Sequence, residues 1–159
     1  MNESSVKMSV VVRKAGNNDL PRIAQFYGPN PDSLLDIFSD ARLLRKYTRL
    51  QNYAIAEIDD NFAGFAYYQI LDGKKPRWFD PHPSGKRYGH MIELHVKKAY
   101  RGHGIATRLL NFAFKDMRER GVQVIYIDVE KSNRVAMNLY TKKFQFRAFN
   151  KTLHMKRTL

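Results

Sequence analysis

The sequence predicts an α/β (α+β) protein with a mixed, mostly antiparallel central sheet flanked on both faces by about four helices. Three observations carry this prediction. Tyr53–Ile58 and Phe62–Leu71 read as two strands joined by Asp59-Asp60-Asn61, a hairpin signal that makes neighbouring strands antiparallel. Met91–Val96, Gly104–Arg120 and Val122–Val129 form a strand–helix–strand unit, which demands a parallel pair joined by a right-handed crossover. The chain has 159 residues, 43% of them hydrophobic and 27% charged, enough to bury one core, so a single domain over residues 1–159 is expected.

The elements follow in order. Ser9–Arg13 is rich in β-branched residues and reads as a buried strand. Asn17, Asn18 and Asp19 offer caps to a helix from Leu20 to Tyr27, with Pro21 tolerated in its first turn and Ile23, Phe26 and Tyr27 facing the core. Gly28-Pro29-Asn30-Pro31 breaks the chain before a second helical stretch, Ser33–Lys46. Asp32, Asp36 and Asp40 recur at four-residue spacing there and would share one face. Asp72–Gly89 carries Gly73, Pro76, Pro81, Pro83 and Gly85 and reads as a long loop. In the helix Gly104–Arg120, Ile105, Ala106, Leu109, Leu110, Ala113 and Met117 recur at helical spacing, and Gly121 stands where a C-terminal cap belongs. A helix from Asn133 to Lys143 and a strand from Phe144 to Met155 close the order βααβββαβαβ.

Composition excludes several classes of function. Cysteine is absent, which removes disulfides, thiolate metal sites and a cysteine nucleophile. Five scattered histidines gather no ligand spacing, so no metal is assigned. No apolar run approaches a membrane span, the amino terminus lacks the apolar core of a signal peptide, and a cytoplasmic location fits. The net charge of +13 is uneven, with no acidic residue after Glu130. Such a bias serves an anionic cofactor, an acidic partner or nucleic acid. The charges are spread over many elements rather than gathered in one run, which disfavours nucleic acid.

The chemistry gathers around Leu94–Leu110, a strand that breaks at Gly102 and Gly104 and continues as a helix. Such a turn aims unpaired N–H groups and the positive end of the helix at one point, an anion site. Thr107 stands where a dinucleotide fingerprint has its third glycine, and no Gly-Lys-Ser/Thr follows, so neither common nucleotide motif is present. Arg101, Gly104 and Ala106 instead spell Arg-x-x-Gly-x-Ala. This resembles the pyrophosphate-binding motif of the GCN5-related N-acetyltransferase (GNAT) family. Asp128–Tyr140, with Asn133, Ala136, Leu139 and Tyr140, is similar to the same family's strand-to-helix signature. One departure stands out. The family's Gly-Phe pair falls four and five residues after the tyrosine; here Phe144 and Gln145 hold those places and Phe146 follows, implying a turn one residue longer.

The resemblance implies the acyl-CoA N-acyltransferase fold, with six to seven strands, and acetyl-CoA as co-substrate. Its pyrophosphate would lie on the backbone of Arg101, Gly102, His103, Gly104, Ile105 and Ala106, with Thr107 adding a hydroxyl. The pantetheine arm would pair with Leu94, His95 and Val96, and the Val96 N–H would polarise the thioester oxygen. Asn133 would bond that arm, and Tyr140 would protonate the leaving thiolate. For the general base, Asp128 sits where some relatives that acetylate protein amino termini carry a carboxylate. Glu93 and His95 share one strand face and are equally open candidates, directly or through water.

By the same resemblance the acceptor would be a primary amine, of a small molecule or a protein, lying roughly between residues 27–50 and 72–89. Monomer and homodimer are both open. Two other classes stand beside the enzyme: a non-catalytic coenzyme A-binding regulatory module, and a basic nucleic-acid or ribosome-associated protein.

Overall fold

The computed structural model describes residues 9–27, 40–72 and 86–148. The chain divides into two compact units, residues 1–128 and 129–159.

The first unit is built on five strands: β1 (Val10–Lys14), β2 (Tyr53–Ile58), β3 (Asn61–Asp72), β4 (Arg87–Val96) and β5 (Val124–Ile127). They lie in the order β1-β2-β3-β4-β5. The first three pairings are antiparallel, with a tight turn joining β2 to β3, and β4 and β5 run parallel because α3 (Ile105–Glu119) carries the crossover. The β2–β3 turn is made by Asp59 and Asp60, at φ 46° and 64°. Both are aspartates, a residue type that tolerates this left-handed region.

Strand alternation separates the two faces of the sheet. On one, Tyr53 and Ile55 of β2 and Phe62, Phe65 and Tyr67 of β3 pack with Leu20, Ile23 and Ala24 of α1 (Leu20–Tyr27) and Leu44 of α2 (Ala41–Tyr47). On the other lies α3, whose buried stripe is Ile105, Leu109, Leu110, Ala113 and Met117. The fully buried Tyr68 reaches from β3 to this helix and donates a 2.6 Å hydrogen bond to Asp116. A Cβ on Gly89 would fall on the Met117 sulfur, so the flexible end of that side chain would have to shift to admit one. The helix stops at Gly121, at φ 81°, and the Val122 N–H caps the Met117 carbonyl at 3.0 Å.

An extra residue in β4 positions the site. Met91 lies opposite Tyr68 and Glu93 opposite Tyr67, so Ile92 is a bulge. Beyond it the alternation is displaced by one, and Glu93 and His95 join Ile92 on the α1 face.

The second unit holds α4 (Arg134–Asn138), continued by a π-helical turn over Leu139–Lys143.

Several expectations change. The described residues form five strands, not six to seven. Residues 144–148 carry no strand because Gln145 turns the chain into the left-handed region, and the rest of the expected last strand lies outside the described residues. β4 begins at Arg87, so the end of the expected loop is strand, while residues 73–85 lie outside the description. Asp40 is not a mid-helical residue. It caps α2 by accepting from the Arg42 N–H at 2.7 Å and is forked by the Arg42 guanidinium; Asp32 and Asp36 are not among the described residues.

Candidate active site

The site begins where two strands part. Pairing of β4 with β5 runs from Tyr88 opposite Val124 to Met91 opposite Ile127, and β4 continues to Val96. Among the described residues no strand pairs with Leu94–Val96 on that side. The Lys97 N–H donates to the Ala63 carbonyl of the β3 side at 2.8 Å. By alternation the backbone groups of Val96 and Leu94 therefore face away from β3, into the opening. The Val96 carbonyl there accepts from Arg101 Nε at 3.1 Å, and the Val96 N–H shares that side.

Past Val96 a short 3-10 turn, Lys98–Tyr100, leads into the two glycines. Gly102 and Gly104 hold φ at 84° and 74°, and a Cβ on either would meet nothing within 4 Å. Their need is for backbone conformation, and the space beside them is open. His103 Nδ1 lies 3.0 Å from the Arg101 carbonyl; a carbonyl only accepts, so Nδ1 carries the proton. The first helical bond of α3 runs from the Arg108 N–H to the Gly104 carbonyl. The N–H groups of Ile105, Ala106 and Thr107 precede it, and Gly104 has no side chain with which to cap them. Three aimed donors at the positive end of a fifteen-residue helix fit a polyanion such as a pyrophosphate.

On the α1 face, His95 Nε2 lies 2.7 Å from Glu93 Oε2, with the imidazole 5.4 Å from the Phe26 ring and 5.2 Å from that of Phe65. Nearer the fork, His90 Nε2 lies 2.9 Å from Asp128 Oδ2. Asp128 has its side chain 88% exposed, whereas that of Glu93 is 16% exposed. Each candidate carboxylate thus lies within hydrogen-bond distance of an imidazole nitrogen. Sequence reasoning missed His90 because the strand was expected to begin at Met91. It lies opposite Tyr126, two residues before Asp128, a register set by the parallel pairing and carried by no local sequence signal.

In the second unit, Asn133 Oδ1 accepts from the Ala136 N–H at 3.1 Å. The oxygen of Asn133 is therefore committed to capping α4, and its amide NH2 is the group left to donate outward. Tyr140 is buried in the π turn, closed by the Phe144 N–H on the Leu139 carbonyl at 3.3 Å. Among the described residues no group of three potential ligands could hold a metal ion, and no helix is long and apolar enough to cross a membrane.

A mixed sheet opened beside β4 thus ends in a donor-lined turn suited to an anionic group. The chain belongs to the acetyltransferase (GNAT) family, whose match covers residues 20–146. It is similar to GCN5-related N-acetyltransferase 6, chloroplastic, of Arabidopsis thaliana, at 45% identity over 56 residues, 35% of this chain and 19% of that protein. An N-alpha-acetyltransferase of Sulfolobus acidocaldarius is 25% identical over 146 residues, 91% of this chain and 84% of the relative. The match spans less than half the length of several curated relatives, 35% for the N-alpha-acetyltransferase 30 of Saccharomyces cerevisiae. Among solved structures, the ribosomal-protein-alanine N-acetyltransferase of Brucella melitensis shares the fold at a TM-score of 0.65 and 19% identity, over 94% of this chain and 99% of that one.

Proposed function

We propose that this protein transfers the acetyl group of acetyl-CoA to a primary amine by direct attack in a ternary complex, and that the amine is the α-amino group of a polypeptide. The observation that carries the reading is the junction of the open β4 edge with the glycine turn. One continuous stretch, Leu94–Thr107, offers strand-type groups to an extended arm and then helix-end donors to a pyrophosphate. The α-amine is favoured by the relatives named N-alpha-acetyltransferases. It also suits the chemistry, since an α-amine has a pKa of about 7.7–8.0 and a lysine about 10.4, so less proton removal is needed.

In this reading the N–H groups of Arg101–Ala106 and the Thr107 hydroxyl hold the pyrophosphate. Leu94, His95 and Val96 pair with the pantetheine arm, and the Asn133 amide bonds it. The amine nitrogen attacks the thioester carbonyl, whose oxygen is polarised by the Val96 N–H. The C–N bond forms, the C–S bond breaks, and the amine proton passes to Glu93 or Asp128, directly or through water. The departing thiolate takes the Tyr140 hydroxyl proton, and solvent restores it.

The test is thiol release from acetyl-CoA with peptides bearing a free amino terminus. Tyr140→Phe is expected to lower kcat about 100-fold with little change in the KM for acetyl-CoA. Equal turnover of the two proteins removes Tyr140 from the mechanism. Thiol release with small polyamines but with no peptide overturns the acceptor.

A further inference from the structure

The segment after Tyr140 is unusual in a way the acetyl-transfer reading does not use. An α-helix through Lys143 would keep i→i−4 bonds. Here the Phe144 N–H instead reaches back five residues to the Leu139 carbonyl. Gln145 then sits at φ 57°, a conformation that glycine adopts more readily. Neither feature is favoured locally. Together they absorb one residue and reverse the chain, so that the Phe146 N–H donates to the Tyr140 carbonyl at 2.9 Å. The Phe146 ring meets the Tyr140 ring edge-on, with centroids 6.0 Å apart and planes at 64°.

We propose that Phe146 is a positioning residue for Tyr140, brought into place by the π turn. A tyrosine that donates its proton must hold its ring in one orientation, because the O–H vector turns with the two side-chain torsions. The backbone bond fixes the Tyr140 peptide, and the edge of Phe146 blocks rotation of the phenol ring. Six residues of spacing would otherwise carry the aromatic past the tyrosine. The widened turn restores the contact.

This rests on Tyr140 acting as the acid, and the experiment separates the two claims. Steady-state kinetics with acetyl-CoA and a peptide bearing a free amino terminus are compared for wild type, Phe146→Leu, Phe146→Ala, Phe146→Tyr, Tyr140→Phe and Tyr140→Phe with Phe146→Leu. Phe146→Leu keeps most of the volume and loses the ring edge. It is expected to lower kcat about tenfold while the KM for acetyl-CoA stays within about twofold, Phe146→Ala at least as much, and Phe146→Tyr to retain wild-type turnover. In the Tyr140→Phe background Phe146→Leu is expected to cost nothing further, because the group it positions is gone. An equal loss in both backgrounds, or a higher KM at unchanged kcat, makes Phe146 a packing residue and overturns the proposal. So does a Phe146→Leu protein as fast as wild type. A Tyr140→Phe protein as fast as wild type overturns both claims, whereas a slow Tyr140→Phe beside a fast Phe146→Leu overturns only this one.

Discussion

Gly104 and Gln145 occupy the same region of backbone space for opposite reasons. At Gly104, φ 74° is reached without strain, and the N–H groups that follow it are left uncapped for an anion. Gly104→Ala is expected to destabilise the fold by about 1 kcal/mol through backbone strain alone, since its Cβ meets open space. It should also raise the KM for acetyl-CoA, which steady-state kinetics and a thermal melt would check together. Gln145 reaches φ 57° with a side chain in place, so Gln145→Gly is expected to stabilise by about 1 kcal/mol. A lower melting temperature for that variant would show that the side chain contributes more than the strain it imposes.

At the scale of elements, a charge network ties the first strand and helix to the sheet. Arg13 of β1 forks between Asp19, at 2.7 Å, and Glu57 of β2, at 2.9 Å. Arg22 of α1 joins Glu57 at 2.8 Å. Burial alone would raise the Asp19 carboxyl, but the Arg13 fork and the Gly16 N–H outweigh it and leave it lowered. Glu57 is held below the usual glutamate range by the Arg13 guanidinium and then by Arg22. The sign follows from linkage. Above the unfolded pKa of about 4.3 the charged Glu57 stabilises the native state, and acidification through its lower folded value removes that contribution. The urea midpoint of wild type should therefore fall between about pH 5 and pH 3, and Glu57→Gln should be less stable at neutral pH with a flatter dependence over that range. A Glu57→Gln protein with the wild-type slope would mean that other carboxylates carry the acid sensitivity.

At the scale of the whole molecule, the formal charge of +13 acts at a distance. Coenzyme A carries several phosphate charges, so its approach to the Arg101–Thr107 turn should be steered by the protein's field. The KM for acetyl-CoA is expected to rise severalfold between about 0.05 and 0.5 M salt, as screening shortens from about 14 Å to about 4 Å. A cationic acceptor should respond in the opposite direction. A duplex DNA or RNA that binds with a steep salt slope, independently of acetyl-CoA, would instead support the nucleic-acid class of function.

The sequence by itself determined the elements whose signals are local. The stripe Ile105–Met117 closed by Gly121, the hairpin about Asp59-Asp60 and the strand leading into the glycine turn were all legible, because periodicity, capping and turn chemistry act between near neighbours. The pairing of Arg101 with Gly104 and Ala106, and of Asn133 with Tyr140, was legible for a related reason, since each motif lies within one short stretch. Tertiary structure alone decided which faces those residues occupy. The bulge at Ile92 turns Glu93 and His95 toward α1, and His90 finds Asp128 across a parallel pair. The π turn that returns Phe146 to Tyr140 belongs to the same class. In each case the deciding partner lies on another strand, or in a backbone conformation that only the packed chain holds, and no pattern of adjacent residues encodes that choice.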